Sequence, residues 1–282
     1  MSAKEIISEN FAPSQWLSWP RSSIRVVDWN IDRGLQLRSI IDFLGDANAD
    51  IFLLQEVDIN ARRTQRLNIA QEIAQKLRLN YVFGREFVEL TQGSNTSPAY
   101  HGQATLSRWK ISNSRILRFR EQPDFWKPRW YLPKLEPFQE RLGGRIALVS
   151  ETNSSGVSIV TYNLHLESRA NDELRLAQLD GVLKDARACE PGRLAVIAGD
   201  LNLNASKASP ADAIARYGFI NAVPTDGTGK RFPICITSTR QCHRQFHQGR
   251  SASAGQDRSD NSPLTPQLRP GLSAVVTVRT KR

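Results

Sequence analysis

The chain has 282 residues, with 38 Lys or Arg against 28 Asp or Glu, which gives a formal net charge of +10. No apolar run approaches the roughly 20 residues of a membrane-spanning helix, and residues 1–20 lack the pattern of a secretory signal. Three cysteines are too few for a disulfide framework in a chain of this length, so we expect a reduced, cytoplasmic setting.

The positive charge is concentrated in the last part of the chain. Residues 231–282 hold nine basic and two acidic residues, a net charge of +7, which leaves +3 for residues 1–230. This terminal part contains no Trp or Tyr, and Arg, Gln and Ser stand where apolar strand residues would be expected. The composition predicts either a polyanion-binding tail or a solvated, partly disordered terminus, and the second interpretation is favoured.

The hydropathy pattern predicts strands and helices in alternation. Short apolar or β-branched runs predict strands at 24–30, 50–54, 81–83, 103–107, 145–150, 157–164 and 194–198. Helical spacing of apolar residues predicts helices at 35–43, 64–79, 173–186 and 211–217. The segments 91–100 and 121–140 interrupt this pattern and are predicted to be loops or insertions. The alternation is too irregular for a (β/α)₈ barrel, so the pattern indicates another α/β fold.

Acidic and amide residues recur where predicted strands end, which is where the active sites of α/β proteins collect. These residues are Asn30 and Asp32, Gln55 and Glu56, Asn163 and His165, and Asp200 and Asn202. A single carboxylate at a strand end is more often a turn or helix cap than a ligand. If the strands are neighbours, however, the set forms one site. Oxygen donors with one histidine and no cysteine suit Mg²⁺ or Mn²⁺ rather than zinc.

Six motifs in a fixed order resemble one known family. They are DWNIDRG, LQEVD with the downstream RRT, HGQATLSR, GGRIALV, TYNLHLES and AGDLNLN. In these motifs the chain resembles the endonuclease/exonuclease/phosphatase superfamily of metal-dependent phosphoesterases. The resemblance implies an α/β four-layer sandwich, in which helices flank two packed, mostly antiparallel β-sheets. It also implies a single domain over 22–282, with a secure pattern to about 234, an atypical segment at 235–282 and an N-terminal extension at 1–21.

The same resemblance implies a metal site. Asn30 and Glu56 would hold Mg²⁺ or Mn²⁺, with Glu56 as the principal carboxylate. Asp32 resembles an extra carboxylate seen in the apurinic-endonuclease branch, although a simple turn aspartate explains it equally well. Asp260 would be a further ligand. His101, in HGQATLSR, is interpreted as a loop histidine without a role.

Catalytic and substrate-binding roles follow from the resemblance as well. His165 would contact the scissile phosphate, with Asn163 supporting it. Asp200 would orient or deprotonate the attacking water, and Asn202 would contact the phosphate. Arg145 would bind substrate or simply pair with a carboxylate.

The end of the chain departs from the family pattern. The family normally closes with an Asp-x-Ile/Phe strand and then Ser-Asp-His, whose histidine is the central acid/base, whereas this chain has Ser259-Asp260-Asn261. Asn261 stands in the catalytic position but cannot titrate, so we expect impaired activity. The only aspartates after residue 226 are Asp257 and Asp260, so the orienting aspartate is missing too. Two explanations stay open: translation from a shifted reading frame, or a genuinely divergent tail.

A C-x₆-C-H-x₃-H cluster between Cys235 and His247 matches no standard zinc finger, and a zinc site is disfavoured.

The leading functional hypothesis is a Mg²⁺- or Mn²⁺-dependent phosphoesterase that cleaves phosphodiesters. The alternatives are a catalytically inactive family member that binds a phosphate ligand or nucleic acid, and a gene product without function. The substrate would be of nucleic-acid or phospholipid type, and no obligate protein partner is visible, so we expect a monomer. The candidate specificity loops are 85–100 and 118–142. Trp126, Trp130 and Tyr131 in the second would stack on nucleobases, dip into a lipid surface or pack on one another.

Overall fold

The structure is a computed structural model that describes residues 5–14, 23–134, 138–154, 156–188, 193–203 and 210–221, and the backbone of 236–238 and 274–279. Its strands are β1 (Ile6–Asn10), β2 (Ser23–Arg33), β3 (Ile51–Ile59), β4 (Asn80–Glu89), β5 (Ala99–Ser107), β6 (Ile111–Arg118), β7 (Arg141–Gly143), β8 (Ile146–Ser154), β9 (Val157–His165), β10 (Leu194–Asp200), β11 (Phe219–Asn221), β12 (Ile236–Ser238) and β13 (Ala274–Arg279). Its helices are α1 (Leu37–Ala47), α2 (Ile69–Leu77), α3 (Asp172–Arg187) and α4 (Ala211–Arg216), with 3₁₀ turns at Arg62–Thr64 and Asp124–Trp126. Within these ranges, no helix is long and apolar enough to span a bilayer.

The described strands form two sheets in which antiparallel pairs predominate. The first sheet has the order β1-β4-β5-β3-β2-β13, with β7 also pairing with β4, and the second has the order β11-β12-β10-β9-β8-β6. The parallel pairs are β2 with β3 and β9 with β10. Each parallel pair is connected through a helix, α1 or α3, because parallel neighbours need a long crossover rather than a tight turn.

Three apolar clusters place the helices outside two sheets that pack face to face. Ile40 of α1 and Ile73 of α2 pack on the outer face of the first sheet. Leu183 of α3 packs on the outer face of the second sheet. Between the sheets, Val26 of β2 and Val196 of β10 belong to a shared cluster. The layers are therefore helix, sheet, sheet and helix, and the predicted four-layer α/β sandwich is confirmed.

The central strands are apolar on both faces, which explains their continuous apolar runs in the sequence. In β3, Ile51 and Leu53 point between the two sheets, whereas Phe52 and Leu54 point toward the helices. Successive side chains of a strand face opposite sides, so a strand buried on both sides needs apolar residues at every position. This burial fixes the place of β3 in the middle of the first sheet.

Strand β1 lies within residues 1–21, the segment predicted as an N-terminal extension. It pairs antiparallel with β4 at the edge of the first sheet. The side chain of Glu9 accepts hydrogen bonds from the Tyr81 hydroxyl (2.9 Å) and from the amide of Gln71 (3.1 Å). β1 is thus part of the sheet. Its sequence, IISEN, does not predict a strand because an edge strand buries few side chains and needs little apolar pattern.

Two short segments of the atypical part, 235–282, join the sheets through their backbone. β12 pairs with β10 in the second sheet, and β13 pairs antiparallel with β2 at the edge of the first. The six-residue run of β13, AVVTVR, is rich in β-branched residues, which suits an edge strand. Backbone pairing thus adds one strand of this part of the chain to each sheet.

Candidate active site

Four predicted site residues meet where strands of both sheets end. Asn30 lies near the end of β2, Glu56 in β3, His165 at the end of β9 and Asp200 at the end of β10. The Asn30 side-chain amide donates hydrogen bonds to Glu56 Oε1 (3.2 Å) and to Asp200 Oδ2 (3.1 Å). Nε2 of His165 lies 4.0 Å from Glu56 Oε1 and 3.9 Å from Asp200 Oδ2. The structure therefore gathers one amide, two carboxylates and one imidazole at a single point.

Irregular strand pairing aims the carboxylates at this point. The pairing of β3 with β5 shifts register between Leu54 and Val57, and Glu56 within this bulge has a φ of +52°. A second bulge, between β4 and β5, contains Glu86. Bulges turn side chains away from the regular alternation of a strand and are common beside active sites. The positions of these two carboxylates depend on the bulges rather than on the period-two pattern of the sequence.

Asp200 is held by the turn that follows β10. Its Oδ1 accepts a hydrogen bond from the backbone N–H of Asn202 (3.0 Å), and its pairing partner across the parallel ladder is His165. Asn202 has a φ of +49°, and its side-chain amide donates to the carbonyl of Leu166 (3.1 Å). Asn202 thus closes the turn and fixes the direction of the Asp200 carboxylate.

Arg145 lies behind His165 and determines which ring nitrogen faces the site. Its Nη1 lies 2.9 Å from Nδ1 of His165 and 3.2 Å from Oε2 of Glu86, and its Nη2 donates to the hydroxyl of Ser168 (3.2 Å). A guanidinium can only donate, so Nδ1 of His165 must be the acceptor. In a neutral ring the proton is then on Nε2, which points toward Glu56 and Asp200.

The sequence profile of the Endonuclease/Exonuclease/phosphatase family matches residues 29–263, which is most of the chain and includes all four converging strand ends. The chain belongs to this family. The resemblance inferred from the six motifs is therefore confirmed at the family level. No curated protein matches this chain.

Solved structures of the family share the same fold. An endonuclease/exonuclease/phosphatase from Beutenbergia cavernae DSM 12333 is 14% identical, with a TM-score of 0.61 over 92% of this chain and 72% of that one. D. rerio TDP2 humanised by 14 mutations is 19% identical, with a TM-score of 0.52 over 80% and 86%. An endonuclease/exonuclease/phosphatase from Bacteroides vulgatus is 15% identical, with a TM-score of 0.52 over 78% of this chain and 88% of that one. At these identities the likeness extends to the fold alone.

In this family member, Asn163 joins the two sheets beneath the site. It is fully buried, and its amide donates to the backbone carbonyls of Leu54 (3.1 Å) and Ala104 (3.0 Å) in the opposite sheet. Its Oδ1 accepts from the amide of Gln55 at 2.7 Å. These contacts leave Asn163 below the surface of the site, where it supports the strands that carry Glu56 and His165.

Asp28 is a buried carboxyl group that the sequence did not single out. Its Oδ1 accepts from the amide of Gln55 at 2.8 Å. Burial raises the pKa of Asp28 to about 8; the Gln55 hydrogen bond opposes this rise and the nearby charge of Asp200 adds to it. Asp28 therefore carries a proton at neutral pH in the absence of a cation. Its position inside the DWN motif was the available signal, but only the fold shows that it is enclosed.

The raised pKa of Asp28 predicts a pH-dependent stability. A carboxyl group with a folded-state pKa near 8 and an ordinary value of 3.8 stabilises the fold fully below pH 3.8. This contribution is lost as pH rises toward 8, at up to about 1.4 kcal/mol per pH unit. We expect Asp28→Asn to remove this slope, so that the variant gains free energy of unfolding relative to the native protein between pH 4.5 and pH 8.

Urea unfolding with EDTA at several pH values measures this difference. Asp212→Asn, which changes an exposed carboxylate on α4, is the control and should leave the slope in place. Parallel stability curves for the native protein and Asp28→Asn would contradict the prediction.

The interpretation of His101 as a loop histidine is wrong. His101 lies in β5 with 1% of its surface exposed, and its Nδ1 is 2.9 Å from Oδ1 of Asp58. Arg63 binds the same carboxylate twice, at 2.6 Å and 2.9 Å. Burial raises the pKa of Asp58, but the hydrogen bonds from His101 and Arg63 outweigh it and lower the pKa overall. The register of β3 on β5, which sets His101 opposite Asp58, creates this pair.

Of the other two predicted metal ligands, Asp32 and Asp260, the structure describes Asp32. The Asp32 side chain is 69% exposed and pairs with Arg33 at 2.6 Å. Asp260 and Asn261 lie outside the described residues, as does the cluster between Cys235 and His247. Among the predicted metal ligands within the described residues, the side chains of Asn30 and Glu56 contact each other.

Proposed function

We propose that the chain is a divalent-metal-dependent phosphoesterase that hydrolyses phosphodiester bonds. The activities named in its family, endonuclease, exonuclease and phosphatase, all break phosphoester bonds. The observation that carries the proposal is the cluster of Asn30, Glu56, His165 and Asp200, each within 4.0 Å of two others. Such a set supplies cation ligands, a base and a donor, the groups that in-line attack of water on a phosphate requires.

Asn30 and Glu56 would hold the Mg²⁺ or Mn²⁺ ion. No three His, Cys, Asp or Glu side chains form a cation cage in the described part of the chain. Mg²⁺ does not need one, because it is commonly bound by one or two carboxylates, with water and substrate phosphate as its other ligands. Burial raises the pKa of Glu56, but the charge of His101, the Asn30 hydrogen bond and nearby arginines lower it overall, which keeps this ligand anionic. A bound cation would neutralise charge on the phosphate oxygens.

Asp200 and His165 would carry out the proton and charge steps. Asp200, oriented by Asn30 and the Asn202 N–H, would accept a proton from the attacking water. His165 would donate a hydrogen bond from Nε2 to a phosphoryl oxygen, with Arg145 holding the ring. The direct phosphate contact predicted for Asn202 stays a prediction, since its amide already donates to a backbone carbonyl.

The substrate proposed is a phosphodiester of nucleic-acid or phospholipid type. The segment 121–140 bears on this choice because some of its aromatic side chains are buried and others are exposed. Trp126 is buried and donates to Glu167 Oε2 at 2.7 Å, whereas Trp130 and Tyr131 are 95% and 63% exposed. Trp126 thus belongs to a packed insertion, whereas Trp130 and Tyr131 contact each other edge to face and offer their exposed surfaces to a large substrate.

A catalytically inactive, phosphate-binding protein is the second candidate function. The observation that favours it is Asn261 in place of the expected histidine, together with the missing orienting aspartate. It predicts phosphate or metal binding by calorimetry without turnover. For the third hypothesis, a product without function, thermal unfolding should lack a cooperative transition.

A substrate panel tests the proposed function. Bis(p-nitrophenyl) phosphate, single-stranded DNA and phospholipid vesicles are assayed with Mg²⁺, with Mn²⁺ and with EDTA, on the native chain and on Asn261→His. We expect metal-dependent hydrolysis of at least one substrate and about tenfold faster turnover in Asn261→His. This gain is below the usual 10²–10⁴-fold effect of a general acid or base, because the orienting aspartate is absent.

The outcome separates the candidates. Hydrolysis that survives EDTA, or no hydrolysis by either protein, would remove the metal-dependent phosphoesterase. Unchanged turnover in Asn261→His would contradict the assignment of residue 261 to the position of the missing histidine.

A further inference from the structure

The turn at the end of β2 has an unusual backbone. Asp32, Arg33 and Gly34 have φ values of +45°, +66° and +83° in succession. Glycine adopts such angles freely, but each non-glycine residue there costs on the order of 1–3 kcal/mol. The turn is held by hydrogen bonds from the Asp32 N–H to Asn30 Oδ1 and from the Gly34 N–H to the Ile31 carbonyl, both at 3.1 Å. Strain of this kind is retained where the surrounding structure or a function requires it.

The strained turn directs Arg33 to the site. Its Nη1 lies 2.6 Å from Asp32 Oδ1 and 3.9 Å from Glu56 Oε2. Asp32 is the one hydrogen-bond acceptor that the guanidinium has within the described residues. A guanidinium carries five N–H donors, so most of those on Arg33 stay available. About a third of the side chain is exposed, which lets a ligand reach them.

Other arginines near Glu56 are already engaged. Arg145 is buried and contacts Glu86, His165 and Ser168. Arg63 is fixed to Asp58 through two hydrogen bonds. Arg33 thus differs from Arg145 and Arg63 in combining exposure with unused donors.

An anionic substrate has to approach two carboxylates, Glu56 and Asp200. Each repels a phosphate, and the repulsion increases with the low dielectric of a partly buried site. A planar guanidinium can contact two phosphate oxygens at once, which makes arginine the side chain of choice for binding and neutralising phosphates. Arg33 has the charge, the free donors and the position for this contact.

We propose that Arg33 is a further catalytic residue, which donates hydrogen bonds to the non-bridging oxygens of the scissile phosphate while Asp32 holds its guanidinium. The inference rests on the proposed phosphoesterase function and adds a residue to which the family resemblance assigns no role. It also gives Asp32 a task other than metal binding. The chemistry of hydrolysis is unchanged, since Arg33 neither gains nor loses a proton.

Phosphate binding and turnover test the proposal separately. Native protein, Arg33→Ala, Arg33→Lys and Arg38→Ala are titrated with inorganic phosphate in the presence of Mg²⁺, and with Mg²⁺ alone, by calorimetry. Arg38 is an exposed arginine of α1 and serves as the matched control. We expect phosphate affinity to fall at least tenfold in Arg33→Ala, with a smaller loss in Arg33→Lys and none in Arg38→Ala. Hydrolysis of bis(p-nitrophenyl) phosphate should fall about 50-fold in Arg33→Ala, somewhat less than removal of a full oxyanion donor.

The Mg²⁺ titration excludes an indirect effect through the metal site. Removing a cation 3.9 Å from Glu56 should leave Mg²⁺ affinity unchanged or increase it. Weaker Mg²⁺ binding in Arg33→Ala, native phosphate affinity in that variant, or no phosphate binding by the native protein would each overturn the proposal. If the native chain binds phosphate through Arg33 but hydrolyses nothing, the proposed function and the catalytic role of Arg33 both fail, and only its phosphate contact stands. If the native chain hydrolyses substrate while Arg33→Ala binds phosphate with native affinity, the proposed function stands and the role proposed for Arg33 fails.

Discussion

Asp200→Asn is expected to lower the hydrolysis of bis(p-nitrophenyl) phosphate by about 10³-fold, within the range for loss of a general base. Asparagine keeps the shape of the side chain, and its oxygen can still accept from the Asn202 N–H, which now holds Oδ1 of Asp200 at 3.0 Å, but the bond that Oδ2 accepts from Asn30 is lost. Asparagine cannot take a proton from water. Because one hydrogen bond accounts for only a part of a 10³-fold change, the loss mainly reports the base function. kcat and KM at saturating Mg²⁺ measure it, and the decrease should be in kcat.

Stability distinguishes this loss from unfolding. The charge of Asp200 contributes to raising the pKa of the buried Asp28, so its removal relieves a like-charge repulsion. This gain opposes the loss of the hydrogen bond from Asn30, so we expect the unfolding temperature of Asp200→Asn to stay close to that of the native protein. Asp180→Asn, on a partly exposed carboxylate of α3 that pairs with Arg216, is the matched control and should keep full activity. Retention of more than a tenth of native kcat in Asp200→Asn would exclude Asp200 as the base.

The core of the fold is predictable from the sequence because buried strands have a strong signal. The runs IRVVDWN, IFLL, IVTYNL and LAVIA correspond to β2, β3, β9 and β10, and their polar ends do meet. The crossover helices α1 and α3 also lie close to their predicted ranges. Edge strands were missed because they need little apolar pattern: in β6, five of the eight residues are polar, and β1 is only five residues long.

Parts of the site were not predictable because they depend on register. Two carboxylates, Glu56 and Glu86, lie in bulges, and a one-residue shift in pairing decides which face a side chain occupies. The contacts of Arg145 with His165 and of His101 with Asp58 join parts of the chain that lie at least 20 residues apart in sequence. Residue type suggested that these groups mattered, but not which of them would touch. The exposure of Asp32 and its pairing with Arg33 likewise follow from a turn whose φ angles the sequence does not dictate.

His165→Ala is expected to lower kcat by about 10²–10³-fold, the usual effect of removing one donor to a developing oxyanion. The structure defines which atom donates. Arg145 Nη1 lies 2.9 Å from Nδ1 of His165 and can only donate to it. Nδ1 therefore has no proton, and the N–H of the neutral ring is on Nε2, 3.9 Å from Asp200 Oδ2. His165 thus presents a hydrogen-bond donor, rather than a lone pair, to the reaction centre.

His165→Gln separates hydrogen-bond donation from proton transfer. A glutamine amide can place an N–H near the position of Nε2, but it cannot release a proton to a leaving group. We expect His165→Gln to recover at least tenfold of the kcat lost in His165→Ala. While Nδ1 accepts from Arg145, the ring cannot carry a proton on both nitrogens, so we expect it to donate a hydrogen bond from Nε2 rather than to transfer a proton. Equal kcat values for the two variants, with native-like thermal unfolding, would instead require His165 to act by transferring its proton. In that case the contact between Arg145 and Nδ1 would have to open during each turnover.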